Sequence, residues 1–201
     1  LANASGRKVH WVPMKNHRYD LEAMAKKVTD YTKIIYIANP DNPMGTYITL
    51  EEFDEFYTHI PARVLIILDE AYYEFAQSKT DFPDSMAYRY DNVITLRTFS
   101  KAYGLAGLRI GYGFAHKELI RNLMKVKEPF SPSLIAHIAG SAAMNDDEFL
   151  IRTLAINEAG YTFLKDQLTS LGIETVPSVA NFITTIWLSQ EQAKEVTQSL
   201  L

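Results

Sequence analysis

Residues 34–45 set the pattern for the whole chain: Ile34-Ile35-Tyr36-Ile37-Ala38 and then, without a break, Asn39-Pro40-Asp41-Asn42-Pro43-Met44-Gly45. A short run of branched and aromatic apolar residues reads as a strand. The Asn, Pro and Gly that follow favour a turn. The same succession occurs twice more. Residues 64–68 run into Asp69-Glu70-Ala71-Tyr72, and residues 93–96 run through Arg97 into Thr98-Phe99-Ser100-Lys101. Near-continuous apolar strands fit parallel pairing with both faces buried. Helical patterns lie between them. Thr49 and Glu52 fit a capping box ahead of Phe53, Phe56, Tyr57 and Ile60, and Pro61 stops that helix. The alternation predicts an α/β fold, a mostly parallel sheet flanked by helices with right-handed crossovers.

Outward from this core, residues 9–12 and 108–115 are further strand candidates. Asp20 caps a helix over 21–28. Leu119, Ile120, Leu123 and Met124 share one face of a helix over 117–127, ended by Pro129. Leu150, Leu154, Tyr161, Leu164, Leu168 and Leu171 keep helical spacing up to Gly172, a natural residue just past a helix C-terminus. Strands over 173–176 and 181–188 and a polar helix complete the chain. The pattern divides it into residues 1–146, a large domain incomplete at its start, and residues 147–201, a bridging helix and the beginning of a smaller α+β domain. The opening Leu1-Ala2-Asn3-Ala4-Ser5-Gly6 has neither an initiator Met nor the basic-then-apolar order of a signal peptide, so the chain reads as an internal segment.

With 201 residues, 47% of them hydrophobic, the chain can bury one full domain and part of another. A net charge of −4 points away from nucleic acid and anionic membranes. The lack of cysteine excludes disulfides, thiolate metal sites and cysteine nucleophiles. No apolar run is long enough for a membrane helix. A soluble cytoplasmic protein is the expectation.

In open α/β sheets ligands bind at the carboxyl ends of strands, so three polar clusters at three strand ends could converge on one crevice. Each cluster alone has a plainer reading. The Asn-Pro segment is also an ordinary turn, and Asp69-Glu70 a solvated strand end. The two carboxylates do not suit a paired site, because adjacent strand residues point to opposite faces. No Gly-rich loop precedes Lys101, and glycines 104, 107, 111 and 113 do not spell a dinucleotide fingerprint. Histidines 10, 17, 59, 116 and 137 show no metal spacing. Tyr31, Tyr36, Tyr73, Tyr88 and Tyr112 suit packing better than catalysis.

Taken together and in order, Asn39 to Gly45, Asp69 to Tyr72, and Ser100-Lys101 followed by Gly104 and Arg109 resemble the signature segments of fold-type I pyridoxal 5′-phosphate (PLP) aminotransferases. The resemblance covers essentially the whole chain. The wording from Arg97 to Gly111, with Tyr19-Asp20-Leu21 upstream and Ala180-Asn181-Phe182 downstream, is similar to the histidinol-phosphate aminotransferase subfamily. Met44 and Asp41 depart from the Thr and Asn more usual there.

The resemblance implies PLP as cofactor and residues 1–146 as its binding domain. Lys101 would bond the cofactor aldehyde and move the substrate α-proton. Arg109 and a dry pocket would both lower the Lys101 pKa. Asp69 would keep the ring nitrogen protonated, at roughly 5 kcal/mol for charges ~3 Å apart at an effective dielectric of ~20. Asn42 and Tyr72 would bond the ring oxygen. Thr98, Ser100 and Arg109 would hold the phosphate. Tyr103 and Asn181 are candidates to line the substrate pocket. The implied partners are a small amino donor and 2-oxoglutarate, in a homodimer. Aromatic and aspartate aminotransferases and a threonine-phosphate decarboxylase share these cofactor residues. A non-catalytic sensor or dimerisation module needs neither Lys101 nor Asp69. The family's substrate-gripping arginine falls beyond Leu201 and further phosphate ligands before Leu1, so the segment alone is expected to be inactive.

Overall fold

The computed structural model describes residues 3–88 and 90–200. Its main sheet has the order β1 (Ile34–Ala38), β2 (Leu65–Asp69), β3 (Val93–Thr98), β4 (Gly111–Ala115). β1, β2 and β3 are parallel, with Ala38 beside Asp69 and Asp69 beside Leu96. β4 returns antiparallel to β3, Thr98 beside Gly111. The 99–110 connection holds only a short 3₁₀ turn, Ala106–Leu108, and no helix that would cross the sheet.

Strand alternation gives the sheet two unlike faces. One carries Ile35, Ile37, Ile66, Leu68 and Val93. It is closed by α1 (Leu21–Lys26) and α2 (Leu50–Thr58), whose Phe53 and Phe56 complete the core. α1 starts on the Asp20 carboxylate, which accepts from Ala23 N–H, and α2 on the full Thr49–Glu52 capping box. The other face carries Tyr36, Ile67, Asp69, Leu96 and Thr98, and there Ile34 and Tyr36 are more than half exposed.

Beyond β4 lie α4 (Lys117–Met124), α5 (Leu134–Ala143) and the 24-residue α6 (Asp147–Ser170). α6 ends at Gly172, whose φ of +70° suits glycine. It leads into a hairpin of β5 (Glu174–Val176) and β6 (Thr184–Ile186) and then α7 (Gln190–Ser199).

Three expectations are corrected. Residues 9–12 form no strand, since among the described residues they pair with none and Trp11 is 80% exposed. The 108–115 strand begins only at Gly111, because Arg109 adopts a left-handed φ of +52° that ends the preceding turn. The expected helix over 117–127 stops at Met124. Sequence periodicity missed α5, which packs small residues, Ala136 and Gly140, against Phe99 and Ile110. It also missed the single turn α3 (Tyr73–Ala76).

Candidate functional site

Because β1, β2 and β3 run parallel, their carboxyl ends share one edge, and the three polar segments meet there. The first is a loop pinned from inside. Buried Asn39 accepts from Ile48 N–H (2.8 Å) and donates to Ile48 C=O (3.2 Å). Buried Asp41 accepts from the Tyr19 hydroxyl (2.8 Å) and Met44 N–H (3.0 Å). The Asn39–Pro40 and Asn42–Pro43 bonds are cis. This scaffold leaves Asn42 exposed at the tip, with its amide donating to the Tyr72 hydroxyl at 2.8 Å. Asp41, the departure from the family wording, therefore serves the loop itself.

Tyr72 is buried, its ring and that of Phe182 nearly perpendicular at 5.2 Å between centroids. Lys101 Nζ lies 5.1 Å from the centre of the same ring. Asn42, Tyr72 and Lys101 thus form one contiguous group. Asp69 ends β2 on the open face. One carboxylate oxygen accepts from Ala71 N–H (3.2 Å) and the other from the Tyr36 hydroxyl. Burial, and then Asp69, raise the Tyr36 pKa, so this hydroxyl remains a donor. Glu70 points to the opposite face and is buried, as alternation requires and unlike a solvated strand end.

Thr98 and Ser100 stand side by side. The Thr98 hydroxyl donates to Ser100 Oγ (3.0 Å) and accepts from Ser100 N–H (3.1 Å). Arg109 is exposed and spends one guanidinium N–H on the Ala106 carbonyl (2.8 Å). Lys101 is exposed as well, rather than enclosed in a dry pocket. Tyr103 packs on Phe99, and burial pushes its hydroxyl up to about 12. Asn181 is exposed. Among the described residues no cluster suited to a metal ion occurs and no helix is long and apolar enough to cross a membrane.

The sequence pattern suits Tyr36 to packing and gives Phe182, for all its part in the family wording, no place beside Tyr72. Strand register could have found Tyr36: it sits two residues before Ala38, the partner of Asp69, so both side chains share a face. Phe182 arrives from residues 177–184, whose position no local pattern gives. There Val179 N–H donates to Gly45 C=O (2.9 Å), and the Thr184 hydroxyl donates to the Pro43 carbonyl.

The pattern of the aminotransferase class I and II family matches residues 1–201. The chain belongs to that family. It is 46% identical over 186 residues to histidinol-phosphate aminotransferase 1 of Nitrosococcus oceani, covering 92% of this chain and 50% of that protein. It is 42% identical over 203 residues to the histidinol-phosphate aminotransferase of Moorella thermoacetica, covering 100% of this chain and 52% of that one. The crystal structure of histidinol-phosphate aminotransferase from Sinorhizobium meliloti in complex with pyridoxal-5′-phosphate superimposes with a TM-score of 0.90 at 31% identity, over 99% of this chain and 55% of that chain. The chain therefore spans about half the length of these aminotransferases. The fold expected from the sequence, a mostly parallel sheet flanked by helices of fold type I, is the one observed, with three parallel strands and β4 antiparallel.

Proposed function

We propose that these residues are the cofactor-binding core of a PLP-dependent histidinol-phosphate aminotransferase. The longer enzyme converts histidinol phosphate and 2-oxoglutarate to imidazole-acetol phosphate and glutamate, as a cytoplasmic homodimer. Residues 1–146 contribute to the large domain, and residues 147–201 are the bridging helix and the start of the small one. The observation that carries the reading is the meeting of Lys101, Tyr72 and Asn42 at the sheet edge that also ends in Asp69 and Thr98. The amino donor follows from likeness to enzymes of that name.

The donor set fits the cofactor. Bound there, pyridoxal phosphate supplies an electron-accepting ring that acidifies the α-proton of an amino donor. Lys101 Nζ is the amine to hold the cofactor and the base to take that proton. Asp69 keeps two N–H or O–H contacts from Ala71 and Tyr36, which orient its carboxylate to hold a proton on the ring nitrogen. Because Asn42 donates to the Tyr72 oxygen, the Tyr72 hydrogen is free to donate in turn to the ring oxygen. Ser100 accepts from Thr98 and keeps its own hydrogen for a phosphate oxygen, with Arg109 as the cation beside it.

Borohydride reduction of the full-length enzyme, followed by peptide mapping, should label Lys101; a label on any other lysine refutes the assignment. A panel of amino donors tests the substrate. A higher kcat/KM for aspartate or an aromatic amino acid would replace histidinol phosphate while leaving the cofactor site standing.

A further inference from the structure

Behind the strand ends that present Asp69 and Thr98 lies a buried ion pair. Glu70 follows Asp69 and Arg97 precedes Thr98, so both point to the reverse face. Arg97 Nε donates to Glu70 Oε2 at 2.9 Å, with 5% and 1% of the two side chains exposed. The guanidinium is fixed on three further sides. Its carbon lies 3.3 Å from the centre of the Tyr73 ring and 5.3 Å from that of Phe114, and Nη2 reaches Asp84 at 3.3 Å. The last backbone bond joining β2 to β3 is Glu70 N–H to Leu96 C=O, 2.9 Å.

We infer that Glu70 and Arg97 are a positioning pair for the site of the proposed aminotransferase, clamping the ends of β2 and β3 so that the Asp69 carboxylate and the Thr98 hydroxyl keep their places on the opposite face. Side chains one residue apart share a peptide plane, so a strand end held behind cannot twist or slip in front. The planar guanidinium, stacked and hydrogen-bonded, fixes orientation as a flexible ammonium does not. Stability alone does not explain the pair. Desolvation tends to cancel the gain from a buried ion pair, whose best-attested use is to specify geometry. Here burial pushes the Glu70 carboxyl up to about 7 even though Ser85 and Arg97 both pull it down. The other ionisable groups facing the pair are Asp84, Glu74, Tyr73, Tyr112, Tyr88 and Tyr103.

The inference rests on the functional reading above, and the test separates the two. In the full-length enzyme, three variants are compared with wild type: Glu70→Gln, Arg97→Lys, and the apolar double variant Glu70→Leu/Arg97→Met. Three quantities are read: thermal midpoint of the apo-protein, PLP dissociation constant, and the pH midpoint of the bound cofactor's visible band. A site displaced by a fraction of an ångström should bind cofactor about 10- to 100-fold more weakly and titrate at a shifted pH. The expected result is that the double variant regains the thermal midpoint and not the cofactor parameters. Glu70→Gln, nearly isosteric, should show the same cofactor defect if the double variant does not fold. PLP affinity and pH midpoint at wild-type values in any folded variant lacking the Glu70 charge would overturn the clamp. A wild-type enzyme with no visible band would instead overturn the functional reading, and the clamp with it.

Discussion

Gly45→Ala tests how the Asn42 loop is held. Gly45 has φ +76°, where a side chain costs roughly 1–2 kcal/mol. A Cβ there would also lie 2.0 Å from Ser178 Oγ, 2.5 Å from its Cβ and 3.1 Å from its Cα. Rotating Ser178 relieves only the first contact, so the backbone must give, at about 1–3 kcal/mol for overpacking. The sum is a destabilisation of about 2–5 kcal/mol. The movement would strain the bonds from Gly45 N–H to Asp41 C=O and from Val179 N–H to Gly45 C=O, both 2.9 Å. Those bonds hold the loop on which Asn42 reaches Tyr72, so PLP affinity should fall together with stability. Urea unfolding of the full-length apo-protein measures the first and cofactor titration the second. In a double-mutant cycle, adding Ser178→Gly should recover the overpacking share and leave the φ cost. A Gly45→Ala loss under about 0.5 kcal/mol, the range of an ordinary surface change, would refute the argument.

Asp69→Ala in the full-length enzyme should loosen the cofactor and slow α-proton abstraction by orders of magnitude; near-normal half-reaction rates would remove its assigned role. Tyr36→Phe deletes the donor to one Asp69 oxygen and should shift the pH midpoint of the cofactor's visible band while barely changing stability; an unchanged midpoint would return Tyr36 to a packing role. Burial raises the Glu70 carboxyl from 4.5 to about 7, so the folded state binds the extra proton between those values. That share of stability is complete below 4.5 and lost as pH rises through 7; Glu70→Gln should flatten the stability–pH curve across that window, and an unaltered slope would contradict the burial argument. Residues 1–201 expressed alone with saturating PLP should not transaminate; turnover within about tenfold of the full-length enzyme would mean that the substrate-binding residues lie within this segment.

The division between what was legible in the sequence and what was not follows the range of the interactions. Asp20, Thr49 with Glu52, and Gly172 announced helix ends because their partners lie within a turn of them. Residues 34–38, 64–68 and 93–96 announced a parallel sheet by their near-continuous apolar runs, although only one face of β1 is closed over, with Ile34 and Tyr36 more than half exposed on the other. Parallel order then brought Asn42, Asp69, Tyr72 and Lys101 to one edge. α5 stayed hidden because Ala136 and Gly140 allow close packing without an apolar stripe. The start of β4 depended on a left-handed Arg109, a residue type that gives no local sign of that conformation. Charge hides in the same way. Composition treats Glu70 and Arg97 as surface residues, and only strand alternation with a parallel register of known phase puts them together behind the site. The register that sets Asp69 beside Leu96 on the open face sets Glu70 beside Arg97 on the closed one. Any sequence that presents Asp69 and Thr98 in this register must therefore fill the positions behind them with something that survives burial. A matched ion pair does so only while both members are present, which is why single and double substitutions there should part company.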